Sequence, residues 1–216
     1  MNSNRSKLKL DWCSYEAAKY AVMKWHYSKA MPAGKLVKIG VWENNKFIGV
    51  IIYSYGCSTS AGKRYGLKMT DTGELVRVAL GKHENPATKI VAISIKLLKK
   101  QSPGLKLLIS FADPYEKHLG IIYQAGNWIY VGPQGKDKRV RKYEKCGKIY
   151  NWRTVGGHLR KRKDLKNNVE GAKHLGFIPS PWAPKYKYLY PLTKKMRKQI
   201  ELLKKPYPKS LTAPEA

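Results

Sequence analysis

The chain has 216 residues, 43% of them hydrophobic, and carries 43 Lys and Arg against 14 Asp and Glu, a formal charge of +29. That apolar content excludes a disordered chain, and the charge points to a polyanionic partner, nucleic acid ahead of an anionic membrane surface. No run approaches the ~18 consecutive apolar residues of a membrane span, MNSNRSKLKLDW lacks the apolar core of a signal peptide, and Cys13, Cys57 and Cys146 are too scattered for a disulfide framework or a thiolate zinc site.

In chain order, KLKLDW reads as a first strand. SYEAAKYAVMKWHYS follows as a helix capped by Ser14, with Glu16 in its first turn and an end near Trp25–Tyr27, where MPAG breaks it. Two β-rich runs in LVKIGVWENNKFIGVIIYSYG meet at Glu43-Asn44-Asn45-Lys46, a hairpin turn. TSAGKRYGLKMTDTG reads as a polar loop and ELVRVALG as a strand. In HENPATKIVAISIKLLKKQSPG, Asn85 reads as the N-cap, Pro86 as the first helical residue, and Ile90, Ile93, Leu97 and Leu98 as the buried stripe. LKLLISFA suits a strand covered on both faces, EKHLGIIYQAG a helix stopped by Gly126, and NWIYVG a strand.

From Pro133 to Lys173 there are 14 Lys and Arg against 4 Asp and Glu, with Tyr143, Tyr150 and Trp152 interleaved. This reads as a basic insert and not as a second apolar core. YKYLYPL resumes strand alternation, TKKMRKQIELLKK is a basic helix, and PYPKSLTAPEA reads as a frayed tail. The expected organisation is a core over 1–132, the insert over 133–180, a returning strand and helix over 181–205, and the tail over 206–216. The fold class is α/β (α+β): a central mixed sheet flanked by helices, with the insert before its last strand and a C-terminal helix. Without an export signal or a membrane span, the expected location is cytoplasmic.

This order of elements resembles the GNAT-type N-acyltransferase fold. ELVRVALG…NPATKI resembles that fold's central strand, which pairs with an acyl-CoA arm, and the helix whose N-terminus receives its diphosphate. The resemblance implies cofactor contacts at Val78, Ala79, Leu80 and Lys82, although GKHENPAT stands where the family's glycine-rich phosphate loop is expected. WHYSKAMPAGKLVKIGVWENNKFIGVIIYS, GELVRVAL, ISFADP, GIIYQAGNWIYVG and YPLTKKMRK together resemble the Mom-type phage proteins that modify adenine in DNA. The likeness covers residues 20–132 well and the C-terminal strand and helix more loosely. It implies conversion of the adenine N6 amine to a carbamoylmethyl-type amine in double-stranded phage DNA, protecting the DNA from host restriction. Carried over by motif, the functional positions are His26, Tyr27, Arg77, Ser94, Asp113 and Tyr123. Iron is the implied metal, with His26, Tyr27 and Asp113 as ligands and His118 as a weaker candidate. The donor is acetyl-CoA or another activated species. The quaternary state is open, a homodimer included.

Each of these residues also has a plainer reading. His26 at a helix end is an ordinary half-buried imidazole, and Asp113 before Pro114 is an ordinary helix cap. His118 reads as a solvent-facing helix residue. Arg77 needs a partner or a cavity, and Glu74 on the same strand offers a structural pair. Ser94 reads as a small packing residue, and Tyr123 as a core aromatic whose hydroxyl needs a partner, or as a general acid. In the insert, Arg139, Arg141, Arg153, Arg160 and Arg162 are the expected phosphate contacts, with Tyr150 and Trp152 as platforms for a flipped base. Two other functions fit the same residues: an acetyl-CoA-dependent N-acetyltransferase acting on tRNA or protein amines, and a non-catalytic nucleic-acid-binding protein on a transferase-like fold.

Overall fold

The computed structural model describes residues 6–55, 61–134, 142–180 and 184–209, with Arg153 described in its backbone alone. In chain order these form β1 (Leu8–Trp12), α1 (Tyr15–Trp25), β2 (Leu36–Glu43), β3 (Lys46–Ser54), β4 (Thr72–Leu80), α2 (Ala87–Gln101), β5 (Leu107–Ala112), α3 (Ile121–Ala125) and β6 (Ile129–Pro133). Then follow β7 (Lys142–Lys145), β8 (Lys148–Asn151), α4 (Trp152–Arg160), α5 (Val169–His174), β9 (Ile178–Pro179), β10 (Tyr186–Pro191) and α6 (Lys194–Glu201). The chain divides into two compact units, one built from Met1–Pro133 and Lys185–Leu211, the other spanning Gln134–Pro184.

The first unit is a seven-stranded mixed sheet in the order β1-β2-β3-β4-β5-β10-β6, with helices against it. β4 and β5 run parallel, and the other neighbours are antiparallel. The β2–β3 hairpin turns through Asn44 and Asn45, both at positive φ (51° and 64°), as a two-residue turn that follows the sheet twist requires. Ser14 caps α1 by accepting from the Ala17 N–H at 3.1 Å, and Ala18, Ala21 and Val22 face the sheet. The run Leu107–Ser110 is almost wholly buried. Leu108 enters one apolar cluster while Leu107 and Ile109 enter another, so β5 is covered on both faces.

Several local expectations are corrected by packing. Asn85 does not cap α2, since the N-cap is Pro86 and makes no side-chain cap bond. The Asn85 amide instead turns to the buried carboxylate of Glu43 at the end of β2, Nδ2 donating to Oε1 at 2.7 Å. The inward stripe of α2 is Ile90, Val91, Ser94, Ile95 and Leu98, while Ile93 and Leu97 are half-buried. The helix expected over EKHLGIIYQAG is confined to α3. Before it come a single 3₁₀ turn (Pro114–Glu116) and two left-handed residues, Lys117 (φ 55°) and Gly120 (φ 77°), which break helical continuity. The polar loop over 61–71 contributes Tyr65 and Leu67 to a core cluster. The tail is docked as far as it is described. Lys205 donates its N–H to Tyr130 O, the Tyr207 hydroxyl donates to Trp128 O at 2.7 Å, and Gln124 Nε2 donates to Pro208 O, so β6 is not left as a bare edge.

The second unit also departs from expectation, because it has an apolar core of its own. β8-β7-β9 form an antiparallel sheet, and Tyr143, Val155, Leu159, Ala172 and Phe177 form a buried cluster with α4 and α5. Phe177 is its centre, edge-on to Tyr143 and Tyr150, with the Lys145 ammonium 4.9 Å from its ring centroid. Phe177→Ala is therefore expected to cost about 3 kcal/mol or more. The loss should appear as faster amide exchange across 142–180 while the first unit keeps its protection.

Candidate active site

The site follows from a fault in strand pairing. β4 and β5 pair only from Thr72–Glu74 to Leu107–Ile109, after which the strands part. The β3 register shows why β4 turns away. Ile52 pairs Arg77 and Tyr53 pairs Leu75, leaving Val76 as an extra, bulged residue. Where the backbones separate, a side chain takes over. Ser110 Oγ donates to Leu75 O at 2.8 Å, and with its one proton so used it accepts from the Tyr123 hydroxyl, also at 2.8 Å. Ser110, a lone polar residue in the run LLISFA, was not among the expected site residues. Ser110→Ala is expected to lower stability by about 1–3 kcal/mol, because a buried carbonyl and a phenol both lose their partner. A urea titration that leaves stability unchanged would count against this.

The wedge opens into a cavity of about 470 Å³. Its walls are Leu75–Val78 of β4, Phe111 and Ala112 of β5, Trp25, His26 and Tyr27 at the end of α1, and residues 117–123. Six expected site residues meet here: His26, Tyr27, Arg77, Val78, His118 and Tyr123. His26 is the C-cap of α1 and is only 8% exposed. The Tyr27 ring lies between two imidazoles, 4.3 Å from His26 and 5.1 Å, edge-on, from His118. Arg77 Nε and Nη2 both donate to Ala30 O (3.3 and 3.2 Å), and Nη1 donates to Val76 O at 2.7 Å. The guanidinium thus ties the segment after α1 to the bulge in β4.

Charge in the cavity is tuned by burial. Burial, with Arg77, His118 and Lys29 nearby, lowers the His26 pKa to about 4, so its ring is neutral at neutral pH. His26 Nδ1 meets the Ser28 hydroxyl at 2.9 Å and the Ser28 N–H at 3.1 Å, and because the N–H can only donate, this arrangement favours the neutral tautomer with its proton on Nε2. Burial, and then the Asp113 carboxylate, push the Tyr27 hydroxyl up to about 12. Tyr123 is likewise raised by burial.

The other expected residues lie elsewhere. Ser94 is fully buried in α2, donating to Val91 O at 2.7 Å and accepting from Tyr53. Asp113 is buried just beyond the lining. It accepts from the Tyr115 N–H at 3.1 Å and lies 3.4 Å from Lys185 Nζ, so its cap role is real. Of the expected cofactor contacts, Val78 lines the cavity, Ala79 is buried, Leu80 is half-buried and Lys82 is exposed.

His26 and Tyr27 line the cavity, while Asp113 lies just beyond it and spends one carboxylate oxygen on the Tyr115 N–H. Among the described residues no group of three or more His, Cys, Asp and Glu is placed to hold a metal ion.

In the second unit, Trp152 is 39% exposed at the start of α4 and Arg160 is exposed. Tyr150 is partly buried and packs edge-on against Phe177 at 5.3 Å. The Arg162 fork is closed on Asp164 by two bonds of 2.9 and 2.7 Å. Arg139, Arg141 and the Arg153 side chain lie outside the described residues. No helix among the described residues is long and apolar enough to cross a membrane.

Comparison with known proteins agrees with this architecture. The chain is 24% identical over 213 residues to the methylcarbamoylase Mom of Escherichia phage Mu, covering 94% of this chain and 84% of that protein. Among solved structures, FeeM, an N-acyl amino acid synthase from uncultured soil microbes, superposes with a TM-score of 0.50 at 11% identity. The match covers 91% of this chain and 96% of FeeM. At that identity the likeness establishes the fold alone, which is GNAT-like. The model of the Mom protein family matches residues 7–209, nearly the whole described chain, and this protein is a member of the Mom family.

Proposed function

We propose that this chain is a transferase that modifies the N6 amine of adenine in double-stranded DNA with a carbamoylmethyl-type group and so protects phage DNA from restriction. The observation that carries the reading is the aromatic-lined wedge between β4 and β5, in a chain that matches a phage methylcarbamoylase along nearly its whole length. A base flipped from a duplex needs a π-face to offset a few kcal/mol of lost stacking, and the half-exposed Tyr27 ring between His26 and His118 offers one. A cavity of about 470 Å³ lies in the size range of nucleoside-sized sites.

The N6 lone pair is delocalised into the purine ring, so the donor must be activated. The new N–C bond forms as the donor's bond to its leaving group breaks, and N6 gives up a proton. A neutral His26 with its proton on Nε2 is suited to donate a hydrogen bond to a developing negative charge. The 14 Lys and Arg of residues 133–173 supply sequence-independent attraction for the DNA backbone.

The test is to express the protein with a plasmid, digest the plasmid, and analyse its nucleosides by mass spectrometry. A deoxyadenosine heavier by the transferred group is expected. Unaltered deoxyadenosine from folded protein, or an acetyl mass found on RNA or protein instead, rejects the reading.

A further inference from the structure

The junction between β4 and α2 is where this fold would receive the diphosphate of an acyl-CoA, because backbone N–H groups there can cradle an anion. In this chain two of those groups, the Glu84 and Asn85 N–H just before the helix, already hold one. Glu43, 6% exposed at the end of β2, accepts from the Glu84 N–H through Oε2 at 2.7 Å. Its Oε1 accepts from the Asn85 N–H at 2.9 Å and from Asn85 Nδ2 at 2.7 Å. The Gly81 N–H is spent on Ile48 O, and Pro86 has none to give. Burial alone would raise the Glu43 pKa, but the bonds from Asn85 and Glu84 outweigh it and lower the value, so the carboxylate is charged.

A second feature closes the way from the cavity to this junction. The Trp25 indole lines the cavity and lies directly on Gly81, where a Cβ would fall 2.7–3.1 Å from its ring atoms. Gly81 lacks a side chain at the one place where the indole needs the room, and Phe47 and Tyr20 hold that indole from other sides. A pantetheine arm running from the wedge to the helix would meet Trp25 first and then an internal carboxylate.

We propose that Glu43 is a specificity-determining residue that fills the donor's anion site with a side chain of the protein, so that the group donor is a compact molecule without a nucleotide diphosphate. The inference rests on the DNA-modification reading for its acceptor and adds the class of donor. It also sets the chain apart from acyltransferases of the same fold, whose donor is held through its diphosphate.

Calorimetric titration of the full-length protein with coenzyme A, and separately with inorganic diphosphate, tests it. About 0.3 M salt screens the diffuse attraction of the basic surface. Neither ligand is expected to saturate a one-to-one site on the wild type. Glu43→Ala, which exposes two N–H groups, is expected to bind coenzyme A about tenfold or more tighter than wild type, with inorganic diphosphate competing. Wild-type binding of coenzyme A at a one-to-one site from which diphosphate displaces it overturns the proposal, as does a folded Glu43→Ala protein with no gain. If the alanine variant does not fold, Glu43→Ser, also too short to reach the Glu84 and Asn85 N–H groups, takes its place with the same two outcomes, and the wild-type titration stands without either. Nucleoside mass spectrometry on the same preparations separates the two readings. Modified DNA from a protein that binds coenzyme A removes only the donor inference, whereas unmodified DNA removes the DNA reading and leaves the titration intact.

Discussion

His26→Ala is expected to reduce modified deoxyadenosine by about 100-fold or more, the usual loss when a preorganised donor is removed from a reacting site. The ring lines the wedge, is neutral, and is oriented by the Ser28 N–H at Nδ1, so alanine removes both the Nε2 proton and the surface on which Tyr27 rests. Two further variants separate those contributions. His26→Asn places an acceptor near Nδ1 but nothing at Nε2, and is expected to stay inactive. His26→Gln can present an amide N–H near Nε2, and is expected to recover part of the activity. Equal activity for all three variants and wild type, by quantitative nucleoside mass spectrometry, would show that the imidazole takes no part.

The same residue ties stability to pH. Its folded pKa of about 4 lies below the ordinary 6.5, so between these values the unfolded chain binds the extra proton. Stability from this source is complete above pH 6.5 and is lost as pH falls toward 4, by about 3 kcal/mol at most. Chemical denaturation from pH 4 to 7 should show a shallower acid slope for His26→Gln than for wild type.

Gly120→Ala is expected to be the most damaging single methyl group in the cavity wall. Gly120 sits at φ 77°, which an L side chain resists, and a Cβ there would lie 2.5–2.9 Å from the Tyr188 ring and hydroxyl. Tyr188 cannot retreat easily. Its hydroxyl bonds Leu119 O, its ring packs on Tyr123 and Tyr130, and the residue is fully buried. Strain and overpacking together should cost about 3 kcal/mol and lower the Tm by roughly 6–12 °C. Because residues 117–123 line the cavity, DNA modification should fall further than the stability loss accounts for. A thermal melt matching wild type would show that the wall yields without cost.

The order of strands and helices could be read from the chain because each element carries its own pattern. Ser14 before an amphipathic run, Asn44-Asn45 between two apolar runs, and the unbroken LLIS all name their structures locally. Two of the errors share a cause, a competing partner far away in sequence. Asn85 looks like a cap until Glu43, 42 residues earlier, claims its amide. The tail looks frayed until Trp128 and Tyr130 offer it carbonyls.

The candidate site divides the same way. His26, Tyr27, Arg77 and Tyr123 could be named from motifs because the Mom-like segments carry them in order, and His118 from its place five residues after Asp113. Their convergence could not be, since it depends on the bulge at Val76 and on β4 and β5 parting after Glu74. Ser110 and Glu43 gave little local sign, one a small polar residue in an apolar strand and the other a charge beside a turn. Composition was enough for a basic chain, because charge is a sum over local residues, and the ordered motifs carried the resemblance to a GNAT-like, Mom-type protein. Which groups face the wedge, which are spent on the frame, and what blocks the donor's anion site came only from tertiary structure, because hydrogen-bond ownership and burial are settled between residues that the sequence keeps apart.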